Sequence, residues 1–230
     1  MKTLKALFFL LFLSTMVSTG GFADAPPQMG PRTKALSWSP RIFLIENFLT
    51  SFECDHIIAK ARPELKRSTV VSAVNNDGEI SDVRTSKGMF FSRNSQDIIL
   101  KSIERRIAEL TMLPVENGEG IQVLSYGKGE EYKPHWDYFD SSTEGGAFCY
   151  NRGGQRIATL IMYLENTEEG GETVFPKANI KVRPIKGNAV LFYSCTPDGK
   201  EDPLTLHGGA PVIKGEKWIA TKWLRKGEFR

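Results

Sequence analysis

The chain has 230 residues, of which 40% are hydrophobic and 25% are charged, and its net charge is +3 at pH 7. This composition is ordinary for a soluble globular protein, and it excludes a disordered chain, a collagen-like repeat and a protein with many membrane spans. Because the positive excess is small and no basic block stands out, the sequence also argues against a dedicated nucleic-acid-binding protein.

The first 25 residues have the order of a secretory signal peptide. Lys2 and Lys5 precede an uncharged run over residues 6–17, and small residues follow up to residue 25. The run is shorter than the stretch of about 20 apolar residues that spans a membrane, although an uncleaved N-terminal membrane anchor stays open. We therefore expect the secretory pathway, which means the ER lumen or Golgi in a eukaryote, and the periplasm or the medium in a bacterium.

An oxidising compartment would allow the three cysteines, Cys54, Cys149 and Cys195, to pair. Their odd number leaves at least one thiol outside any internal disulfide, and the sequence does not say which one. Three buried and unpaired cysteines are the alternative.

The first half of the chain predicts helices after a linker over residues 26–37. Residues 41–48 alternate as a strand does. Thr50 and Glu53 have the spacing of a capping box, which predicts a helix over about residues 51–62. Residues 70–81 predict a strand that leads into a loop. Ser95 is expected to cap a second helix, whose apolar residues recur on one helical face: Ile99, Ile103, Ile107 and Leu110.

The pattern changes from Gly120 onward, where short β-rich runs alternate with Gly, Pro and Asn. Such a density of short strands is typical of a sandwich or barrel. We therefore predict one α+β domain over residues 38–230, with helices first and a β jelly roll after them.

Histidine is rare, and two of the three histidines suggest a metal site. His135 and Asp137 are two residues apart in a predicted strand, so their side chains would share one face, while Trp136 would turn the other way. His207, on another predicted strand, could complete a set of two imidazoles and one carboxylate, which suits Fe(II) oxygen chemistry. A His-x-Asp pair is a weak signal by itself. His56 lies in the first predicted helix and is expected to be an ordinary surface residue.

Lys217 begins a predicted strand in which it shares one face with Ile219, Thr221 and Trp223. An ammonium group on an otherwise apolar face is costly to bury without a partner. A dicarboxylate cosubstrate would supply that partner; a lysine that reaches out to solvent is the alternative.

These residues carry a resemblance to a known family. His135, Asp137, His207 and Lys217 resemble the signature of Fe(II)/2-oxoglutarate dioxygenases. Longer segments are similar to the catalytic domain of prolyl 4-hydroxylases, in particular the plant and algal type, over about residues 38–226. The matching segments are 124–126 (LSY), 132–139 (YKPHWDYF), 154–159 (GQRIAT), 169–176 (EGGETVFP), 207–209 (HGG) and 211–218 (PVIKGEKW).

The resemblance implies a double-stranded β-helix, that is a jelly roll, with helices packed outside it. It also implies that His135, Asp137 and His207 hold Fe(II).

The cosubstrate 2-oxoglutarate would chelate the iron, and its far carboxylate would pair with Lys217, assisted by the hydroxyls of Tyr126 and Thr173. With dioxygen, the enzyme would convert a peptidyl proline to 4-hydroxyproline and release succinate and carbon dioxide. L-ascorbate would rescue oxidised iron.

The family also suggests peptide contacts. Tyr132, Arg156 and Trp223 resemble residues near the substrate proline, and an aromatic and arginine groove suits a proline-rich peptide in the polyproline II conformation. Arg84 lies in the segment 73–91, which looks like the loop that closes over peptides. A core position for Trp223, a structural salt bridge for Arg156 and an ordinary surface loop are the alternatives.

Two other functions stay open. One is a 2-oxoglutarate dioxygenase that acts on another residue or on a free amino acid. The other is a non-catalytic jelly roll that binds a metal or a proline-rich peptide. Because all three ligands and Lys217 are present, the sequence favours an enzyme.

Overall fold

The computed structural model describes residues 27–30, 32–68, 70–71, 78–79 and 83–230. The signal peptide or anchor predicted over residues 1–25 lies outside these residues, as does most of the loop predicted after residue 71. Within the described ranges, no helix has the length and apolar character needed to cross a membrane.

The first half of the chain folds into helices and short strands. The helices are α1 (Ser51–Ala61) and α2 (Ile98–Thr111), and the strands are β1 (Thr33–Trp38), β2 (Arg41–Ile45), β3 (Lys66–Arg67), β4 (Val70–Val71), β5 (Gly78–Glu79) and β6 (Lys87–Phe91).

The second half is dominated by strands and contains the short helix α3 (Glu144–Tyr150). The strands are β7 (Ile121–Tyr126), β8 (Tyr132–His135), β9 (Arg156–Tyr163), β10 (Glu169–Gly170), β11 (Thr173–Phe175), β12 (Ile180–Val182), β13 (Ala189–Tyr193), β14 (His207–Gly209), β15 (Val212–Lys214) and β16 (Lys217–Arg225).

Two antiparallel sheets form the body of the protein. The large sheet has the order β1-β2-β13-β9-β16-β7-β6-β3, and the small sheet has the order β12-β11-β14-β8. Strands that are neighbours in space are often distant in sequence, as in a jelly roll. The predicted α+β fold, with a jelly roll and flanking N-terminal helices, is confirmed.

The large sheet is covered on both faces, and each face contributes to a separate hydrophobic core. One core lies between the large sheet and helices α1 and α2, and the other lies between the two sheets. Strand β16 contributes to both, because Trp218 and Ala220 point to the helices while Ile219 points to the small sheet. A strand covered on both faces is buried along its whole length, as β16 is.

Helix α2 begins two residues later than expected, because Asp97 and not Ser95 caps it. The Asp97 carboxylate accepts hydrogen bonds from the amides of Ile99 and Leu100. An ionised carboxylate is a strong acceptor at the positive end of a helix. Asp97 also contacts His56 Nε2 at 2.7 Å, so His56 links α1 to α2.

The linker predicted over residues 26–37 extends too far, because a strand begins within it. Residues 33–38 form β1, which pairs antiparallel with β2 at the edge of the large sheet. The side chains of β1 are mostly exposed, so no buried face marks it in the sequence.

Helix α3 was also missed, because Gly145 and Gly146 lower its helical propensity.

A buried ion pair fastens α2 to the large sheet. Lys222, on the helix-facing side of β16, has its Nζ 2.6 Å from a carboxylate oxygen of Glu104, and each side chain is 3% exposed. Lys222 also donates to the backbone carbonyl of Glu119. The pair fixes the position of the strand that begins with Lys217.

We expect Glu104→Ala to lower the free energy of unfolding by about 3–5 kcal/mol, because it leaves the buried Lys222 ammonium without its carboxylate. The double variant Glu104→Leu with Lys222→Met should lose much less, because neither charge is then buried. Urea unfolding measures both values. The exposed pair Lys34 and Glu46 provides the control, and Glu46→Ala should change the value by less than about 1 kcal/mol. Equal losses in Glu104→Ala and Glu46→Ala would contradict this account.

Candidate active site

Pairing between β8 and β14 brings two histidines together. His135 lies opposite His207 in the antiparallel register. Asp137 comes two residues after His135 in the chain. One ligand atom from each of the three residues lies within 4.8 Å of the other two. The prediction that Asp137 shares a strand with His135 is wrong, because β8 ends at His135 and Asp137 lies in the bend that follows. Trp136 is 41% exposed and turns away, as predicted.

A backbone carbonyl oxygen contacts Nδ1 of each imidazole ring and so orients Nε2 towards the site. Nδ1 of His135 lies 2.9 Å from the carbonyl oxygen of Lys133, and Nδ1 of His207 lies 3.1 Å from that of Thr205. A carbonyl oxygen only accepts hydrogen bonds, so each Nδ1 carries a proton, and Nε2 is the nitrogen of each ring that is turned to the site. Each Nε2 lies 3.6 Å from an oxygen of the Asp137 carboxylate.

Burial and neighbouring charges set the protonation states of this cluster. Burial lowers the pKa of His207 to about 4, although the nearby Asp137 partly offsets the effect. Burial alone would raise the pKa of Asp137, but the two histidines and Arg156 outweigh it and hold that pKa well below its usual range. Near pH 7 the cluster therefore offers a neutral imidazole and an ionised carboxylate, which are the forms that bind a metal.

The donor set fits Fe(II). Two imidazole nitrogens and one carboxylate converge from one side, and the other side faces a cavity between the two sheets. Such a set with open positions is typical of non-haem Fe(II) oxygenases. The cavity is lined by residues of both sheets: Arg84, Leu124, Tyr126, Tyr132, His135, Asp137, Ile161, Thr173, His207, Gly208, Gly209, Lys217, Ile219, Thr221 and Trp223.

Lys217 points into the same cavity from the large sheet. Its side chain is 2% exposed, and its Nζ lies 5.5 Å from the centre of the Tyr126 ring. Among the described residues, no carboxylate forms an ion pair with it. Burial lowers the pKa of Lys217 to about 8, and Glu172 offsets only part of this effect. The cavity therefore contains a buried cationic group that lacks a counter-ion, which favours an anionic ligand.

The residues expected to assist Lys217 are also in the cavity. Tyr126 lies opposite Lys217 in the register of β7 and β16. Thr173, on β11, accepts a hydrogen bond of 2.8 Å from the hydroxyl of Tyr163. Tyr163 was missed, because it ends the long apolar strand β9 and no motif marks it.

Three of the four predicted peptide contacts line the cavity. Tyr132 stacks on the His135 ring with 3.6 Å between ring centres. The guanidinium of Arg84 lies 4.9 Å from the centre of the Tyr132 ring and donates a hydrogen bond of 2.8 Å to the side chain of Gln122. Trp223 lines the cavity from β16.

Arg156, the fourth predicted contact, does not line the cavity. Its guanidinium makes two hydrogen bonds with Glu119, at 2.6 and 2.9 Å, and lies 4.0 Å from the centre of the Trp223 ring. Glu119 also binds Arg225 at 2.6 Å. The structure thus places Arg156 behind Trp223, where it supports the cavity wall.

All three cysteines lie in the described part of the chain and are free thiols. Cys54 and Cys195 are buried, and burial raises the pKa of each thiol to about 11. A buried thiol with a raised pKa is unreactive.

The sequence matches known proteins over the whole site. Residues 121–225, which contain His135, Asp137, His207 and Lys217, match the family model of the 2OG-Fe(II) oxygenase superfamily. Probable prolyl 4-hydroxylase 3 of Arabidopsis thaliana is 45% identical over 217 residues, which cover 86% of this chain and 74% of that protein. Prolyl 4-hydroxylase 1 of the same plant is 47% identical over 209 residues, which cover 85% of this chain and 72% of that protein.

A solved structure shows the same similarity. The viral collagen prolyl hydroxylase of Paramecium bursaria Chlorella virus-1, solved as a 2OG complex, superposes with a TM-score of 0.63. It is 30% identical in sequence, and the match covers 80% of this chain and 95% of that chain.

We expect the metal-free protein to bind one Co(II) ion, used as a spectroscopic substitute for Fe(II), and His135→Ala to weaken this binding by at least about 100-fold, because an imidazole ligand is lost. Titration followed by Co(II) absorption measures the affinity, and circular dichroism checks that the variant folds. His56→Ala is the matched control and should leave the affinity unchanged, since His56 contacts Asp97 instead. Equal affinities in the two variants would remove His135 from the metal site.

Proposed function

The chain belongs to the prolyl 4-hydroxylases of the 2OG-Fe(II) oxygenase superfamily, and on this premise we propose that the cavity between its two sheets is the active site. The enzyme is a dioxygenase that hydroxylates proline with Fe(II) and 2-oxoglutarate. The observation that carries the assignment of the site is that His135, Asp137, His207 and the buried Lys217 all face one cavity.

His135, Asp137 and His207 are the residues that would hold Fe(II). When bound, the iron supplies the activation of dioxygen that hydroxylation of an unactivated C–H bond requires. Burial keeps the His207 imidazole neutral, and backbone carbonyls orient both rings so that the cavity side stays open. In the overall reaction one atom of dioxygen enters proline, and the other enters succinate as 2-oxoglutarate loses carbon dioxide.

Lys217 would bind the far carboxylate of 2-oxoglutarate. In a cavity screened from water, an ammonium and a carboxylate attract each other more strongly than at the surface. The hydroxyls of Thr173 and Tyr126 would complete the contacts, and Tyr163 would orient Thr173 through their 2.8 Å hydrogen bond. Gly209 leaves room for the lysine, because a Cβ there would lie 3.1 Å from Lys217 Nζ.

The substrate would be a proline-rich peptide or protein that enters beside Tyr132, Arg84 and Trp223. Flat aromatic faces suit the polyproline II conformation, which loses little entropy on binding. Arg156 would act indirectly, by supporting the ring of Trp223. The name of the viral relative, a collagen prolyl hydroxylase, is consistent with a proline-rich substrate.

Ascorbate would reduce iron that has been oxidised in turnover without substrate.

The order of residues 1–25 supports entry into the secretory pathway, with the segment either cleaved or kept as a membrane anchor. N-terminal sequencing of protein recovered from a secreting host distinguishes cleavage from retention. An intact N-terminus on protein left in the cytosol would contradict the secretory assignment.

We expect the purified protein, given Fe(II), 2-oxoglutarate, dioxygen and ascorbate, to release succinate in proportion to a poly-proline peptide and to add one oxygen to proline. Mass spectrometry of the peptide and a succinate assay measure this. Omitting ascorbate should shorten the period of turnover without changing the initial rate. His135→Ala should abolish both products while the fold stays intact, because the site is local to a packed scaffold.

Other outcomes identify the alternatives. Succinate release with free proline or lysine, but not with the peptide, would indicate a different substrate for the same iron site. Metal binding without succinate under any condition would indicate a non-catalytic binding protein.

We expect the dissociation constant of 2-oxoglutarate to rise about tenfold between pH 7 and pH 9, because Lys217 has a pKa of about 8 and must be protonated to bind the far carboxylate. Calorimetric titration of the Mn(II)-loaded protein measures this. Lys217→Met should bind weakly and without this pH dependence.

A 2-oxo monoacid of similar length controls for titration at the metal. It lacks the far carboxylate, so its affinity should not follow the pKa of Lys217. The same pH dependence for both acids would exclude Lys217 as its source.

A further inference from the structure

The two oxygens of the Asp137 carboxylate have different surroundings. Oδ1 lies 3.6 Å from His135 Nε2, and Oδ2 lies 3.6 Å from His207 Nε2. Oδ2 also accepts a hydrogen bond of 2.7 Å from the hydroxyl of Thr159. An ionised carboxylate only accepts hydrogen bonds, so Thr159 is the donor. Thr159 therefore holds one oxygen of the carboxylate and fixes its orientation, while the other oxygen has no such partner among the described residues.

Packing alone does not explain the hydroxyl of Thr159. The side chain is fully buried in the middle of β9, where its cross-strand neighbours are Phe192 and Trp223. The next residue on the same face is Ile161, which lines the cavity. Valine has almost the same shape as threonine and would avoid the cost of burying a polar group. The hydrogen bond to Asp137 is the interaction that requires threonine.

A separate contact holds the backbone that follows Asp137. The side-chain amide of Gln155 accepts from the backbone N–H of Phe139 at 2.7 Å and donates to the carbonyl oxygen of the same residue at 3.0 Å. Gln155 directly precedes β9, so the start of this strand anchors the segment without help from Thr159. Loss of the Thr159 hydroxyl would then change the carboxylate while the backbone stays in place.

The number of oxygens that the carboxylate offers matters for the reaction. Iron held by His135, Asp137 and His207 would need room beside these ligands for 2-oxoglutarate and dioxygen. A carboxylate that turned both oxygens to the metal would leave less of that room.

We propose that Thr159 is a positioning residue that holds Oδ2 of Asp137 by its hydrogen bond and so orients the carboxylate to favour Oδ1 as the oxygen that would bind the metal. This inference rests on the proposed function of the site as a metal centre. It assigns to β9 a role in orienting a metal ligand, in addition to its place as one of the two central strands of the large sheet.

The test compares Thr159→Val, Thr159→Ser and Thr111→Val with the wild-type protein. Thr111 is the matched control, because it is a fully buried threonine whose hydroxyl donates to the Ile107 carbonyl at 2.8 Å on helix α2. The readouts are the Co(II) dissociation constant, the Co(II) absorption spectrum and the ratio of succinate to hydroxyproline formed.

Thr159→Val should raise the Co(II) dissociation constant about tenfold or more, as the loss of a partner of a metal ligand typically does. It should also change the spectrum and raise the ratio of succinate to hydroxyproline. Thr159→Ser keeps the hydroxyl and should stay within about twofold of the wild type, and Thr111→Val should not alter metal binding.

The proposal is overturned if Thr159→Val keeps the wild-type affinity and spectrum. It is also overturned if Thr159→Ser or Thr111→Val shifts them as far as Thr159→Val does, because the cause would then be packing or general destabilisation. A wild-type protein that showed no His135-dependent Co(II) binding would overturn the proposed function of the site, and this inference with it.

Discussion

Antiparallel pairing between β8 and β14 is the constraint on which the site depends. It places His135 opposite His207, and each ring is oriented by the carbonyl two residues earlier in its own chain segment. The strands approach so closely that a Cβ at Gly208 would lie 2.7 Å from the carbonyl oxygen of Tyr132. A side chain at Gly208 would push the strands apart and separate the two imidazoles, so the glycine is required by the metal centre and not by a turn.

The large sheet shows how one strand can serve both stability and function. Lys222 and Lys217 are both buried on β16, but they differ in their partners. Lys222 points to the helices and pairs with Glu104, so its charge is compensated within the fold. Lys217 points to the cavity, where no carboxylate of the described residues pairs with it, and burial lowers its pKa to about 8. Its burial costs stability in the ligand-free protein, and binding of an anion would recover that cost.

The fold class could be predicted from the density of short strands, and the main site residues from motifs that resemble those of a known family. Alternation along residues 217–223 identified the face of β16 that lines the cavity, and the capping box at Thr50 identified the start of α1. The prediction of a cap at Ser95 was wrong, since Asp97 caps α2 and also contacts His56 and Lys60 of α1, which are tertiary contacts that the local pattern does not show. The edge strand β1 was missed, because its exposed side chains carry no alternation.

The sequence by itself predicted a β-rich second half from the density of its short strands, and its motifs indicated the family and the group His135, Asp137, His207 and Lys217 through their resemblance to prolyl 4-hydroxylases. Only the tertiary structure decided the surroundings of these groups. It placed Arg156 behind Trp223, and it joined Thr159 to Asp137 across 22 positions of the chain. The physical reason is that hydrogen bonds and burial act over a few ångströms in space, and the distances between side chains of different strands are set by how the sheets pack.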